Sequence, residues 1–413
     1  LALWSLEGLK HFDAACMSAL LKSSEDELRR EAVRALGNMP IGPAELGKQL
    51  ALVKDDSNVL VRSQVLRTLE ELGKADASTI DLLVSFCQPE LPGSDLGGSY
   101  ERRFERYLAR RALEQYPIEL AAYLDSDAAK MQPESHISWA SQALSMGERE
   151  TAFLNQWDTM ENTPLDESGF FAVCDLLNNP QILAKVRTLF ERPDSGKLLE
   201  YALANQARVQ SPELSSLLVS PCREALKSKD ARQIHRGVEA VDRLRVEGLD
   251  AELAALLSKG VDADSGERCV RVLARHPAVH ADTFRKVLAN KDTAHSVSIA
   301  ALGALSKADP AAAEKAAAKL VGDLDPAEQG AFIASLSTTG TGSQILMDLL
   351  AANRLDADAF NWPTAERIFG FCKTDKHARK LYEAKQAEYE EQQAALDVTL
   401  AKFTSISDEN GGD

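Results

Sequence analysis

Apolar residues recur along this chain at helical spacing, roughly i, i+3, i+4 and i+7, and no sustained alternation of β-branched with polar residues interrupts them. The pattern therefore predicts helices throughout and no strands. The helices also repeat. Leu28-Arg29-Arg30-Glu31-Ala32-Val33-Arg34-Ala35-Leu36 aligns with Val61-Arg62-Ser63-Gln64-Val65-Leu66-Arg67-Thr68-Leu69, 33 residues further on. Leu3-Trp4-Ser5-Leu6 matches Leu66-Arg67-Thr68-Leu69 at 63 residues, about two such periods. Downstream, Gly237-Val238-Glu239-Ala240-Val241 matches Cys269-Val270-Arg271-Val272-Leu273 at 32, and Ser298-Ile299-Ala300-Ala301-Leu302 follows in the next helix. A helix pair of this length cannot bury its apolar face alone, so each unit must complete its core with its neighbours.

An acidic turn (Glu25-Asp26, Asp55-Asp56), an apolar-Arg step (Leu28-Arg29, Val61-Arg62) and a helix ending in Leu-Gly together resemble HEAT repeats. The resemblance implies an all-α solenoid of helical hairpins, in which Arg29 and Arg62 form a ladder tying each unit to the next. Repeats of this kind are expected over 1–125 and again over 231–375. Between them, 126–230 reads as degenerate repeats, with Pro164, Pro180, Pro193, Pro212 and Pro221 marking turns between short helices. A long polar helix is expected over 376–404, because Tyr382, Tyr389, Leu396 and Phe403 recur every seven positions. Such a stripe seeks a partner surface, either the last repeats of the same chain or a coiled-coil partner. Residues 405–413, SISDENGGD, read as a linker.

Charge narrows the possible partners. The 413 residues carry 47 Lys and Arg against 63 Asp and Glu, a formal charge of -16, which opposes binding to nucleic acid. No apolar run is long enough to span a membrane, and with Glu7, Lys10, His11 and Asp13 among the first 20 residues no signal peptide is expected in this stretch. Because the sequence opens on Leu1 within an amphipathic helix, a fragment of a longer protein is expected. The six cysteines form no Cys-x-x-Cys and read as buried apolar residues.

Candidate chemistry is sparse. His276 and His280 are four apart, but Pro277 lies between them and no Glu follows either, so no zinc motif is formed. Gly340-Thr341-Gly342-Ser343 lacks the ending of a phosphate loop and reads as a helix-breaking loop. No catalytic, cofactor or metal residue can be named, and the chain is expected to be a non-enzyme. The best interaction site is YERRFERYLARRALE, residues 100–114, where Arg102, Arg106 and Arg110 share one helix face and Arg103 adjoins them. Of these three, Arg110 alone has an acid four residues on, Glu114. Arg102, Arg103, Arg106 and Arg110, with Tyr382 and Tyr389, are the expected contact residues for protein or a neighbouring domain.

Four segments carry a more specific likeness: LALWSLEGL at the start, SYERRFERYLARRALEQYP at 99–117, TGSQILMDLLAANRLDADAF at 341–360, and the terminal EYEEQQAALDVTLAKF. In them the chain resembles the helical-repeat section of the large haem-binding dehydrogenase-like proteins of planctomycetes. That resemblance implies a preceding β-propeller, a following c-type cytochrome domain with Cys-x-x-Cys-His, and a periplasmic location for the whole. This chain would then be the spacer and docking frame between them, with haem c in the downstream domain and no cofactor of its own. The alternative is a free-standing, cytoplasmic HEAT adaptor that binds a partner protein in its concave groove.

Overall fold

A computed structural model describes residues 2–161 and 165–409, and every regular element among them is helical. Backbone contacts divide the chain into two units, 1–218 and 219–413. The first unit holds α1 (Ala2–Gly8), α2 (Ala14–Leu21), α3 (Asp26–Gly37), α4 (Pro43–Leu50), α5 (Val59–Glu70), α6 (Ala77–Ser85), α7 (Ser99–Leu113) and α8 (Pro117–Leu124). It continues with α9 (Glu134–Ser141), α10 (Met146–Met160), α11 (Glu167–Cys174), α12 (Pro180–Phe190), α13 (Gly196–Ala204), α14 (Gln206–Val209) and α15 (Pro212–Leu217). Odd-numbered helices α1, α3, α5, α7, α9, α11 and α13 pack in sequence as one row, and α4, α6, α8, α10 and α12 pack as the other. The two rows enclose a core of Leu, Val and Ala, including Val33, Leu36, Val65, Leu69, Leu83 and Leu113.

The second unit holds α16 (Val219–Lys227), α17 (Ala231–Arg243), α18 (Asp250–Lys259), α19 (Ala263–Leu273), α20 (Ala281–Ala289) and α21 (His295–Ala308). It ends with α22 (Pro310–Leu320), α23 (Pro326–Leu336), α24 (Gly340–Ala351), α25 (Trp362–Phe371) and α26 (Lys376–Glu409). Here α17, α19, α21 and α23 form one row, α16, α18 and α20 form the second, and α22 packs on α21 and α24. Each unit is thus a stack of antiparallel helix pairs, an α-solenoid of the expected kind. None of the described helices is long and apolar enough to cross a membrane.

The punctuation is local chemistry. Asp13, Asn58, Asp76, Asp166, Asn179, Asp230, Asp262, Asp309 and Asp325 each cap a helix by accepting from a first-turn amide. Pro180 and Pro212 occupy the opening positions of α12 and α15, where no amide proton is needed. Pro193 lies in a turn, whereas Pro221 lies inside α16: the break between α15 and α16 is at Leu218, and Pro221 is tolerated in the first turn. Pro164 lies outside the described residues.

Two expectations are corrected. Gly340–Ser343 is the first turn of α24, because the Thr339 hydroxyl accepts from the Gly342 amide at 3.0 Å and caps the helix. Gly342 is required there, since a Cβ would collide with the Leu336 carbonyl. The terminal helix runs to Glu409 and so takes up the first part of the stretch expected as linker. The residues Ser405–Glu409 contain no helix breaker, and the first strong stop signal is Asn410-Gly411-Gly412. Residues 410–413 lie outside the described ones, as does the side chain of Phe403.

Candidate functional site

The arginine-rich segment 100–114 forms α7. Glu101 in its first turn and Arg110 and Arg111 in its last complement the helix dipole. One face carries Leu108, Ala109, Ala112 and Leu113 into the core. Just beyond its end, the Tyr116 hydroxyl lies 2.6 Å from the Leu69 carbonyl and 2.7 Å from that of Leu72, satisfying the C-terminus of α5. Burial pushes that phenol up to about 12, so it stays a donor.

The ladder positions make inter-repeat contacts. Arg29 grips Asp56 through two bonds of 2.6 and 2.9 Å and donates to the Ser23 carbonyl at 2.8 Å. Burial pushes the Asp56 carboxyl up, but Arg29 and the Asn58 amide outweigh it and hold it below the usual carboxylate range. Arg62 repeats the backbone contact, donating to the Asp56 carbonyl, and its side chain pairs with Glu105 of α7 at 2.5 Å. The same device recurs at positions the repeat alignment did not single out. Arg34 reaches Glu7 at 2.7 Å, Arg111 reaches Glu70 at 2.9 Å and Arg223 reaches Glu252 at 2.8 Å. Asp242 gathers Arg271 at 2.8 Å and Arg275 at 3.2 Å.

Among the four arginines expected as contacts, environments diverge. Arg106 is buried, its side chain 2% exposed, with its guanidinium 3.8 Å over the Trp139 ring and 3.3 Å from Glu90. Trp139 returns a hydrogen bond from Nε1 to the Arg106 carbonyl at 2.7 Å, which locks α9 onto α7. Burial pulls the Arg106 pKa down, with Glu90 and Asp166 opposing. Arg110 pairs with Glu114 at 3.3 Å and lies over both Trp139 (5.2 Å) and Tyr107 (5.8 Å). Arg102 is half-buried, Arg103 is exposed, and neither enters an ion pair among the described residues.

These side chains open onto a cleft of about 530 Å³ whose walls include Arg106, Arg110, Trp139, Gln142, Phe171 and Arg208. Arg208, just before the end of α14, lies 4.1 Å over the Phe171 ring. Its cationic group has no ion pair among the described residues. Three acids also line the cleft, and each is engaged within the chain. Glu90 faces Arg106, Asp166 caps α11 at the Gly169 amide (2.7 Å), and Glu167 accepts from Asn205 at 3.0 Å. Arg208, Trp139 and Phe171 escaped the sequence reading because they lie far from α7 in the chain and belong to no repeat motif.

Outside the cleft, the surface of α7 continues with Tyr100, Phe104 and Tyr107, which are 51%, 41% and 46% exposed. On a helical wheel Arg106, Arg110, Arg103, Tyr107, Tyr100, Arg111 and Phe104 fall within a sector of about 160°. The Arg110 guanidinium lies 5.2 Å from the Trp139 ring centroid and 5.8 Å from that of Tyr107, so it links the cleft to the exposed aromatic strip.

Tyr382 and Tyr389 take a different position from the arginines. They pack on this chain's own α25: Tyr382 lies 4.6 Å from Phe369 and 5.1 Å from Trp362, and Tyr389 stacks on Trp362 at 5.8 Å. The partner of the heptad stripe is thus intramolecular over this half of α26. His280 bonds to Asp250 at 3.1 Å, and among the described residues no group of three or more His, Cys, Asp or Glu is placed to hold a metal. Cys87, Cys222 and Cys269 are fully buried, and burial pushes their thiols up to about 12.

No family model matches the chain, and no curated protein matches it. Among known structures, it is similar to a chain in a homology model of the full-length AP-3 complex in an intermediate open conformation. That match has 13% identity and a TM-score of 0.38, over 90% of this chain and 70% of that one. It is also similar to the crystal structure of Kap121p, with 12% identity and a TM-score of 0.43, over 93% of this chain and 48% of that one.

Proposed function

We propose that this chain is a non-catalytic helical-repeat scaffold that docks another protein or domain on the α7 surface. The observation that carries the reading is three aromatic side chains left exposed beside an arginine-lined cleft. Tyr, Phe and Arg are the residue types that anchor interfaces, and solvent exposure of such a patch is costly unless something covers it. Hydroxyl-radical footprinting of the chain alone and within its natural complex tests this. Labelling at Tyr100, Phe104 and Tyr107 is expected to fall several-fold in the complex, while Val279, 77% exposed, keeps its labelling. Equal labelling of the three aromatics in both states refutes it.

We further propose that the natural complex is an extracytoplasmic haem-containing dehydrogenase, with this chain as the frame between a propeller and a c-type cytochrome domain. The four segments that resemble that family support this reading, and α7 is one of them. Haem attachment is assigned to the cytochrome domain alone, because the six cysteines here are scattered through the chain and form no Cys-x-x-Cys-His. A periplasmic location follows from where c-type cytochromes mature. Reading the gene on both sides is the test. An in-frame Cys-x-x-Cys-His downstream and strand-rich repeats upstream are expected, and a stop codon directly after Asp413 with a start codon before Leu1 would leave a free-standing adaptor instead.

A further inference from the structure

We propose that the α7 surface receives an acidic segment of its protein partner, whose carboxylates meet Arg208, Arg110 and Arg103 while an apolar side chain covers Tyr107 and Phe104. This rests on the docking reading above and names the chemistry of what docks.

Local charge balance comes first. In a chain with 63 acidic against 47 basic residues, a guanidinium without an acid is unexpected. Yet Arg102, Arg103 and Arg208 enter no ion pair among the described residues, and all three belong to helices that border one cleft or its rim. Of the acids of that cleft, Glu90 is paired with Arg106, while Asp166 and Glu167 accept from an amide and from Asn205 and keep their charge. Arg103 and Arg208 are the groups whose N–H donors no acid occupies among the described residues.

Geometry points the same way. Arg208 lies against Phe171 at 4.1 Å, and Arg110 lies between Trp139 and Tyr107. A guanidinium stacked on a ring keeps its in-plane N–H donors for a carboxylate and has lost little further freedom on binding. The Glu114 partner of Arg110 is 45% exposed, so an incoming carboxylate can share or replace it at little cost.

Size separates a protein segment from a small anion. A small carboxylate would occupy only part of the cleft of about 530 Å³ and leave Tyr100, Phe104 and Tyr107 exposed, whereas a segment carrying an apolar residue beside its acids covers both. Nucleic acid is disfavoured by the charge of -16 on the whole chain, which opposes a long polyanion more than a short acidic segment.

The test is fluorescence anisotropy with the full chain and a labelled peptide of Glu and Leu at helical spacing, beside the same peptide with Gln in place of Glu. The Glu peptide is expected to bind at least about tenfold more tightly than the Gln peptide. Arg208→Glu should weaken it by about tenfold or more, and Tyr107→Ala by several-fold, while Lys319→Glu leaves it unchanged. Because Arg208 and Tyr107 are exposed, circular dichroism should show the variants folded, and Arg208→Gln provides a milder second variant. Lack of binding, equal binding of the Gln peptide, or indifference to both Arg208 variants overturns the proposal. So does full competition by citrate without any effect of Tyr107→Ala, which would define a small-anion site. Tighter binding of a single-stranded oligonucleotide through Arg208 likewise overturns it. If footprinting protects α7 while the peptide fails, docking stands and its acidic chemistry falls.

Discussion

Arg106 illustrates how one side chain can be legible as a type and illegible as an environment. Its place on an arginine face is a matter of spacing, but its burial depends on Trp139, which arrives from α9 and covers the guanidinium. Glu90 is half exposed, so removing the arginine strands no buried acid, and the loss is chiefly one of packing. Arg106→Met is expected to keep most of the stability, whereas Arg106→Ala should lose about 2 kcal/mol more through the void beneath Trp139, as read by urea denaturation. His136 is the neighbouring titratable group. Burial, Arg102 and Arg106 all lower its pKa, so the folded chain resists protonating it. The unfolded chain binds that proton near the ordinary value of about 6.5, so stability is full above that pH and falls as pH drops below it. His136→Gln should flatten this acid-side slope between about pH 7 and 5 in melts recorded across that range; an unchanged slope contradicts the assignment.

At the scale of the element, close helix crossings and aromatic contacts decide which faces meet. A Cβ on Gly266 of α19 would lie 2.7 Å from Cγ2 of Val297, a buried β-branched residue of α21 with little freedom to move. Gly266→Ala should therefore destabilise the second unit by about 1–2 kcal/mol, overpacking outweighing the gain in helix propensity. Stabilisation by this variant would show that the helices separate easily. At the end of the same unit, Trp362 carries both tyrosines of α26. Trp362→Ala is expected to cost about 2–3 kcal/mol locally and to raise hydrogen exchange across 376–389, with α19 unaffected. The heptad spacing made it legible that α26 has one sticky face. That the face meets α25 rather than a second chain depends on the aromatics Trp362 and Phe369, which are also seven apart but lie on a helix of 10 residues, too short to repeat the interval and announce a partner stripe.

For the whole molecule, stacking makes stability a sum of neighbour contacts, and the ion pairs between successive repeats belong to that sum. Unfolding should therefore depart from two-state behaviour: calorimetric enthalpy is expected to exceed the van't Hoff value, and probes in different helices should give non-coincident urea transitions. A single coincident transition would mean that the stack is coupled more strongly than nearest-neighbour contacts allow.

Periodicity alone determined that this protein is a stack of helices repeating every 30 to 33 residues, that Arg29 and Arg62 occupy equivalent positions, and that residues 100–114 concentrate positive charge on a helix. These properties are local, because a helix face is set by spacing along one segment. Tertiary structure decided which charges remain unneutralised. With 63 acids available, some arginines pair within their own helix, as Arg110 does with Glu114, but the partner of Arg29, Arg34 or Arg111 is set by which helix or turn of the neighbouring repeat lies against it. Packing also assembled the cleft, since Trp139, Phe171 and Arg208 reach Arg106 and Arg110 only when the repeats are stacked.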